Sequence, residues 1–534
     1  LRPYLDFRDN CTEPVYLNIV EFTPIKIFNC LKSLKPSTSA GPDGIPNLLL
    51  INCASTLCIP LCHIFDSSIK DSIIPTVWKT ATVLPIFKKG STTDPNNFRP
   101  ISLTCTCCRA MERIINFDIQ RHLAEQNLLS IHQHGFIGKR SACVNLLEAV
   151  HDWTSNMEKN FVTHVIYFDF KKAFDSVSHA KLLTKLQGYG INGALFNWLY
   201  NFLYNRYQNV KIGSTQSEFI EVTSGVPQGS VLGPTLFLIF INDLCDNFDD
   251  LDIKFKLFAD DLKLYIAYTP DNVSCLKVAL NRISLWCDKW QLNLASNKCF
   301  ILPIGKARNS VDSDFGYSLN NNSLAICSTA RDLGVIVDDS LKFNEHISNI
   351  THKAMTRIKL ILLNFQSRKR RLLIKAYLTY VRPILEYASP VWSPSHQYQI
   401  DKIEKVQRYF TKRIPGMWDF SYEDRLHILG LQSLQTRRLF SDLCLCYKIV
   451  FGLISSNLSS LFQIRVDSIT RGHRYRLQAY HFSKDITKYN FVNRVIHSWN
   501  LLPARVVEAP SLCAFKKMLS SMSYAEMDKL NYLS

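Results

Sequence analysis

The chain has 534 residues, 47% of them hydrophobic, with 62 Lys and Arg against 45 Asp and Glu. That is material for two or more cores, and the longest apolar stretch, near Phe237 to Ile241, is much too short to cross a bilayer. The excess positive charge is confined: residues 341–534 carry 30 Lys and Arg against 13 Asp and Glu, while the other 340 residues carry 32 of each, so a near-neutral part precedes a basic appendage suited to a polyanion.

In chain order, Leu1 stands where an initiator Met would, so the opening reads as the interior of a longer polyprotein or a truncated copy. No charged-then-apolar leader opens it, which argues against secretion. An apolar helix is expected near Leu48 to Ile69, with extended segments around Val83 and Ile101. Of the 17 cysteines only Cys105 and Cys108 show a two-residue spacing, and no second pair or histidine pair completes a zinc site. Reduced thiols of a cytosolic or nuclear protein are the expectation.

The run from Val165 to Phe168 predicts a fully buried central strand ending at Asp169. Helices follow near Ala180 to Leu186 and Leu195 to Tyr204, then a hairpin over Gln208 to Val222. The loop Ser224-Gly-Val-Pro-Gln-Gly-Ser-Val-Leu-Gly-Pro234 has glycines that let backbone approach a ligand, and the apolar run after it opens a helix. From Ile253 to Ile266 apolar and polar residues alternate on both sides of Asp260 and Asp261, predicting a hairpin with one buried face and two carboxylates at its tip. Such acids repel each other, and a hard, oxygen-seeking cation such as Mg²⁺ relieves the repulsion. With Asp169 as a third acid, the set suits a two-metal site for in-line displacement at phosphorus. Trp286 and Trp290, at helical spacing, read as core anchors rather than stacking platforms. Beyond residue 340, Ile374, Tyr377, Leu378 and Val381 fall at helical intervals in a segment that reaches Gly452, with Pro383 and Pro415 as breaks. Basic runs at Arg368–Arg371 with Lys375, at Lys402, Lys405, Arg408, Lys412 and Arg413, and at Arg471, Arg474 and Arg476 suggest a phosphate-tracking surface.

Tyr167-Phe-Asp-Phe-Lys-Lys-Ala-Phe-Asp175, Gly225-Val-Pro-Gln-Gly-Ser230 and Phe258-Ala-Asp-Asp261 resemble palm motifs A, B and C of reverse transcriptases, and more narrowly those of non-LTR (LINE-type, jockey-like) retrotransposons. Ser39 to Pro46, Trp78 to Gly90, Asn97 to Leu103 and His134-Gly-Phe136 are similar to the family's finger region. Trp286 to Trp290 with Lys298 resembles motif D, and Leu333-Gly-Val335 resembles the primer grip. Where related sequences commonly have Asn three residues before the motif D lysine, this chain has Ala295.

The resemblance implies an α+β right-hand polymerase fold: an N-terminal segment 1–30, fingers 31–160, a palm with an antiparallel sheet at 161–340, a helical thumb 341–452, and a basic, mainly helical C-terminal region 453–534. It implies an RNA-directed DNA polymerase in which Asp169, Asp260 and Asp261 hold two Mg²⁺ ions, with Mn²⁺ as a substitute. Lys298 would protonate the leaving pyrophosphate, Lys88, Lys89 and Arg99 would meet the triphosphate, and Phe174 would clash with a 2′-hydroxyl. Phe170, Gln228 and Gly229 would line the nucleotide site. The implied partners are an RNA template, a DNA primer or target, and deoxynucleoside triphosphates, with no membrane. Endonuclease activity would come from a missing upstream region or another protein, and the setting would be nucleus and cytoplasm, as a ribonucleoprotein. Two rivals remain at this point. One is a catalytically inactive RNA-binding relic, and the other an RNA-dependent RNA polymerase, whose usual Gly before the paired acids is here Ala259.

Overall fold

The structure is a computed structural model that describes residues 15–269, 272–305, 316–320, 322–465, 472–522 and 524–530. The apolar stretch near Leu48 to Ile69 forms two helices, Asn47–Asn52 and Ala54–Lys70, that meet at Cys53. Two strands follow, β1 (Thr80–Phe87) and β2 (Phe98–Leu103), paired antiparallel with Thr82 opposite Leu103 and Phe87 opposite Phe98. The helix Ala142–Glu158 is capped by Ser141, whose hydroxyl accepts the Val144 N–H, and leads into β3 (Thr163–Phe168).

Helices His179–Gly188 and Gly193–Leu203 precede β4 (Arg206–Ile212), β5 (Thr215–Gln216) and β6 (Ile220–Val222). The predicted 208–222 hairpin therefore exists, yet it joins the other sheet. β4 runs parallel to β1, whose second edge is taken by β2. After the helix Gly233–Ile241 come β7 (Lys254–Phe258), β8 (Asp261–Ala267), the helix Val273–Trp290 and β9 (Phe300–Ile304). Short strands β10 (Ser318–Leu319), β11 (Asn322–Ser323) and β12 (Ala325–Ile326) follow. The central sheet has the order β12-β9-β3-β8-β7, antiparallel throughout except for the edge pair β12 and β9. A last hairpin, β13 (Thr329–Asp332) and β14 (Val335–Asp338), turns at Leu333 and Gly334 and hands the chain to the helices that begin with Asn344–Asn364.

Every residue of β3 is buried because the central sheet lies between two hydrophobic cores. Ile166 and Phe168 enter the first core, with Phe65, Trp198 and Phe237, whereas Val165 and Tyr167 enter the second, as the two-residue period of a strand requires. Trp286 and Trp290 are anchors of the first core, and the Lys185 ammonium lies 3.6 Å from the Trp290 ring centroid. The second core continues past Gly452: Trp499 and Phe515 pack with Tyr447, whose hydroxyl donates to Ala509 O at 2.7 Å, and Arg494 grips Asp442 with two bonds of 2.9 and 3.0 Å. Among the described residues no helix is long and apolar enough to cross a membrane.

Candidate active site

The register that puts Phe258 opposite Asp261 leaves Ala259 and Asp260 as the two residues of the hairpin turn, with Ala259 in the left-handed region at φ 57°. A buried side chain from the chain ahead of helix Ala142–Glu158 holds this turn. Gln133 Oε1 accepts the N–H groups of both Ala259 and Gly135 at 2.8 Å, and its Nε2 donates to Ala259 O at 3.3 Å. Its segment runs beside β7 through one parallel bridge at Gln133 and Leu257: His134 N–H donates to Leu257 O, and Leu257 N–H donates to His132 O. Gly135 is required there, since a Cβ would come within 2.4 Å of Ala259 N. Replacing Gln133 by Ala strands two buried N–H groups, so we expect a loss of about 2–5 kcal/mol in urea unfolding. A change below about 1 kcal/mol would remove the clamp from this account.

Because Phe168 pairs with Leu262, Asp169, the next residue on its strand, comes abreast of Asp261. The three carboxylates share one field. Burial raises the Asp260 carboxyl and Asp169 raises it further, while Lys88 and Arg99 pull it down. Asp261 keeps an exposed edge, yet burial in the cleft and the charges of Asp260, Asp332 and Asp169 push it up to about 7. A set of crowded carboxylates that oppose one another's ionisation offers the hard oxygen donors that suit a divalent cation. Among the described residues no three or more His, Cys, Asp or Glu side chains stand ready-clustered around one ion position. Lys298 Nζ lies 3.1 Å from Asp169 Oδ2. The turn that presents Lys298 forms without the usual Asn: Ala295 N–H donates to Asp169 O at 2.7 Å, and Lys298 N–H donates to Ala295 O at 2.8 Å. Asp169, Asp261, Lys298, Arg331 and Asp332 line one cleft of about 170 Å³.

The hairpin does not bury one face only. Lys256 and Lys263, on the face opposite the apolar side chains, are buried as well. Lys256 donates to Glu148 of helix Ala142–Glu158, and Lys263 Nζ lies 2.5 Å from Asp332 Oδ2, which also accepts the Tyr167 hydroxyl at 3.2 Å. The polar half of the alternation is thus an internal layer of ion pairs, because a helix and the β13–β14 hairpin cover it.

In the glycine-rich loop, Gly229 has φ 134°, and a Cβ there would stand 2.2 Å from Ser102 O. Ser102 N–H donates to Gln228 O at 2.7 Å, which ties the loop to β2, and Gln228 Nε2 donates to Asp175 Oδ1 at 2.9 Å. Phe174 is half-buried, stacked on Phe237 with centroids 4.3 Å apart and edge-on to Phe136 at 6.2 Å. Phe170 corrects the sequence reading: its ring is buried in the first core, so it has no side chain to offer a substrate. Lys88, Lys89 and Arg99 are all exposed on the β1–β2 hairpin, and Lys88 and Arg99 are the two that act on Asp260. The run Arg368–Arg371 is exposed, whereas Arg471 lies outside the described residues. Sequence reasoning missed Gln133, Asp332 and Lys263 as neighbours of the acids. The one available signal was the pair of lysines flanking the acids inside an otherwise buried hairpin.

Comparison with known proteins bears on this geometry. Residues 86–324 match the family described as reverse transcriptase (RNA-dependent DNA polymerase). The chain is 28% identical to the probable RNA-directed DNA polymerase from transposon BS of Drosophila melanogaster, over 76% of this chain and 46% of that one. It is 27% identical to the RNA-directed DNA polymerase from mobile element jockey of Drosophila funebris, over 72% and 43%, and 25% identical to the probable RNA-directed DNA polymerase from transposon X-element of Drosophila melanogaster, over 77% and 46%. The chain spans less than half the length of these relatives. Within the matched residues lie Asp169, Asp260, Asp261 and the glycine-rich loop, while β13, β14 and the helices after them lie outside them.

Proposed function

We propose that the chain is an RNA-directed DNA polymerase of the non-LTR retrotransposon type, extending a DNA primer end on an element RNA template. The observation that carries this reading is the pairing of β3 with β8, which brings Asp169 abreast of Asp261 beside the Asp260 turn, with Lys88 and Arg99 close enough to act on Asp260. Asp169, Asp260 and Asp261 are the residues that would hold divalent ions, Mg²⁺ or in its place Mn²⁺. Bound ions of that kind supply activation of the primer hydroxyl and stabilisation of the departing pyrophosphate.

The protein's own groups do the rest. Arg99 and Lys88 receive triphosphate, Arg through its planar fork and Lys as a point charge. Lys298 brings an ammonium proton toward the leaving group. Gln228 and Gly229 line the nucleotide site, and the Phe174 ring, backed by Phe237, excludes a 2′-hydroxyl.

The test is extension of oligo(dT) on poly(rA) with Mg²⁺ and either dTTP or UTP. Extension with dTTP alone is expected. Extension with UTP would favour an RNA polymerase, and binding without product would favour an inactive relic. Replacing Phe174 by Ala should raise the kcat/KM for UTP relative to dTTP roughly tenfold or more, because only the ring's bulk opposes the hydroxyl. An unchanged ratio would remove Phe174 from sugar selection.

A further inference from the structure

The glycine-rich loop is anchored at both ends, and one anchor is a buried acid distant in sequence. Its first half is tied to the segment after Asp169: Val226 N–H donates to Phe174 O and Gly225 N–H to Val177 O, both at 2.8 Å. Its second half runs into the helix Gly233–Ile241, whose cap position, Leu232, has no side chain able to accept a bond. Pro234 has no N–H, and Gly233 N–H donates to Ser230 Oγ at 2.8 Å. The two N–H groups before them, those of Val231 and Leu232, both donate to Glu112 Oε2, at 2.7 and 3.1 Å.

Glu112 belongs to the helix Thr106–Glu125, which begins just after β2. It is fully buried, and its other oxygen accepts Cys108 Sγ–H at 3.5 Å. Burial raises this carboxyl, while the Leu232 N–H, the Arg206 charge and the Val231 N–H pull it down. A buried carboxyl is tolerated when its oxygens are used, and here one of them serves the loop. A negative group at the start of a helix is also favoured by the helix dipole. The start of Gly233–Ile241 is therefore filled by a carboxyl of the protein itself, which closes it to phosphate. What the glycines allow instead is a close approach to β2. Ser102 N–H donates to Gln228 O at 2.7 Å and Gly229 lies against Ser102 O, on the strand that also carries Arg99.

We propose that Glu112 positions the loop for nucleotide binding: by fixing Val231 and Leu232 it keeps Gln228 and Gly229 seated on β2 beside Arg99. The inference rests on the polymerase reading, in which Gln228 and Gly229 line the nucleotide site and Arg99 meets the triphosphate. Glu112 acts only through the backbone of the loop. Its loss frees the loop and leaves the acids where they are, so the nucleotide KM should move more than kcat.

The test is dTTP kinetics on oligo(dT) and poly(rA) for three variants of the full chain, beside amide hydrogen exchange of the unaltered protein. Glu112→Ala should raise the KM for dTTP roughly tenfold and leave kcat within about threefold of the parent. Glu112→Gln keeps an oxygen for both N–H groups and should recover most of that loss. His122→Ala removes a 2.9 Å bond between the same helix and Tyr189 O, outside the loop, and should lower the melting temperature without moving KM. In the unaltered protein the Val231 and Leu232 amides, held by Glu112, should exchange slower than unprotected amides by roughly a hundredfold or more. That measurement stands whether or not Glu112→Ala folds. The proposal is overturned if Glu112→Ala leaves KM within about twofold of the parent, if His122→Ala moves KM equally, if Glu112→Gln recovers nothing, or if the two amides exchange unprotected. A parent that extends no primer would overturn the polymerase reading, and the exchange rates alone would then decide whether Glu112 holds the loop.

Discussion

Replacing Asp260 by Asn should leave the chain folded and lower primer extension by roughly 10³-fold or more, equivalent to about 4 kcal/mol of transition-state stabilisation. The substitution is close to isosteric, and an amide oxygen can still accept the bond that the carboxylate takes from its own backbone N–H. Ala259 supplies the positive φ, and Gln133 holds the turn from outside. What changes is charge. Asp260 sits in a cleft where burial and Asp169 already oppose its ionisation, so its negative charge is maintained against a cost. Removing it should leave thermal stability equal or higher while activity disappears. Comparing the melting temperature with dTTP incorporation on oligo(dT) and poly(rA) separates the two effects. Extension within tenfold of the parent would dismiss the carboxylate site as the place of chemistry.

The largest expected effect on stability is at Glu148. Its carboxylate is buried, accepts from Lys256, lies 3.5 Å from His134 Nε2, and also accepts Ser456 Oγ–H at 2.9 Å and Asn457 N–H at 2.8 Å. One side chain therefore ties the β7–β8 hairpin, the segment of Gln133 and the start of the C-terminal region. Replacing Glu148 by Ala leaves Lys256 buried without its counter-charge and should cost about 3–5 kcal/mol in urea unfolding, with Gln intermediate. Burial alone would raise this carboxyl, but the His134 hydrogen bond and the Lys256 charge outweigh it and hold it well below the usual carboxylate range. A depressed carboxylate stabilises the fold above its unfolded value near 4.3, and that contribution fades as the pH falls below about 4. The parent should therefore lose stability in acid more steeply than the Ala variant. Equal acid profiles, or a cost under about 1 kcal/mol, would mean that the cluster contributes little.

These two residues mark the limit of what could be read in advance. Asp260 was legible because it sits between two strand-patterned runs with a second acid, and Asp169 because it ends an apolar run that suits a central strand. The glycine-rich loop was legible through its spacing, and Gly229 does need a conformation that side chains rarely adopt. Glu148 was not, since in the sequence it is one more acid on an amphipathic helix. Nor was Gln133, whose partners Ala259 and Leu257 lie more than a hundred residues away. Phe170 was misjudged for the same reason: the motif places it beside the acid, and only the packing decides which way the ring turns.

Periodicity and short-range chemistry were sufficient to place the strands, the acid turn, the glycine-rich loop and the basic last third, because each depends on neighbours a few residues apart. Which faces became interior and which lysines found acids depended on contacts between distant segments. Burial strips water from a charge, and the partner that makes such burial tolerable is chosen by the fold as a whole.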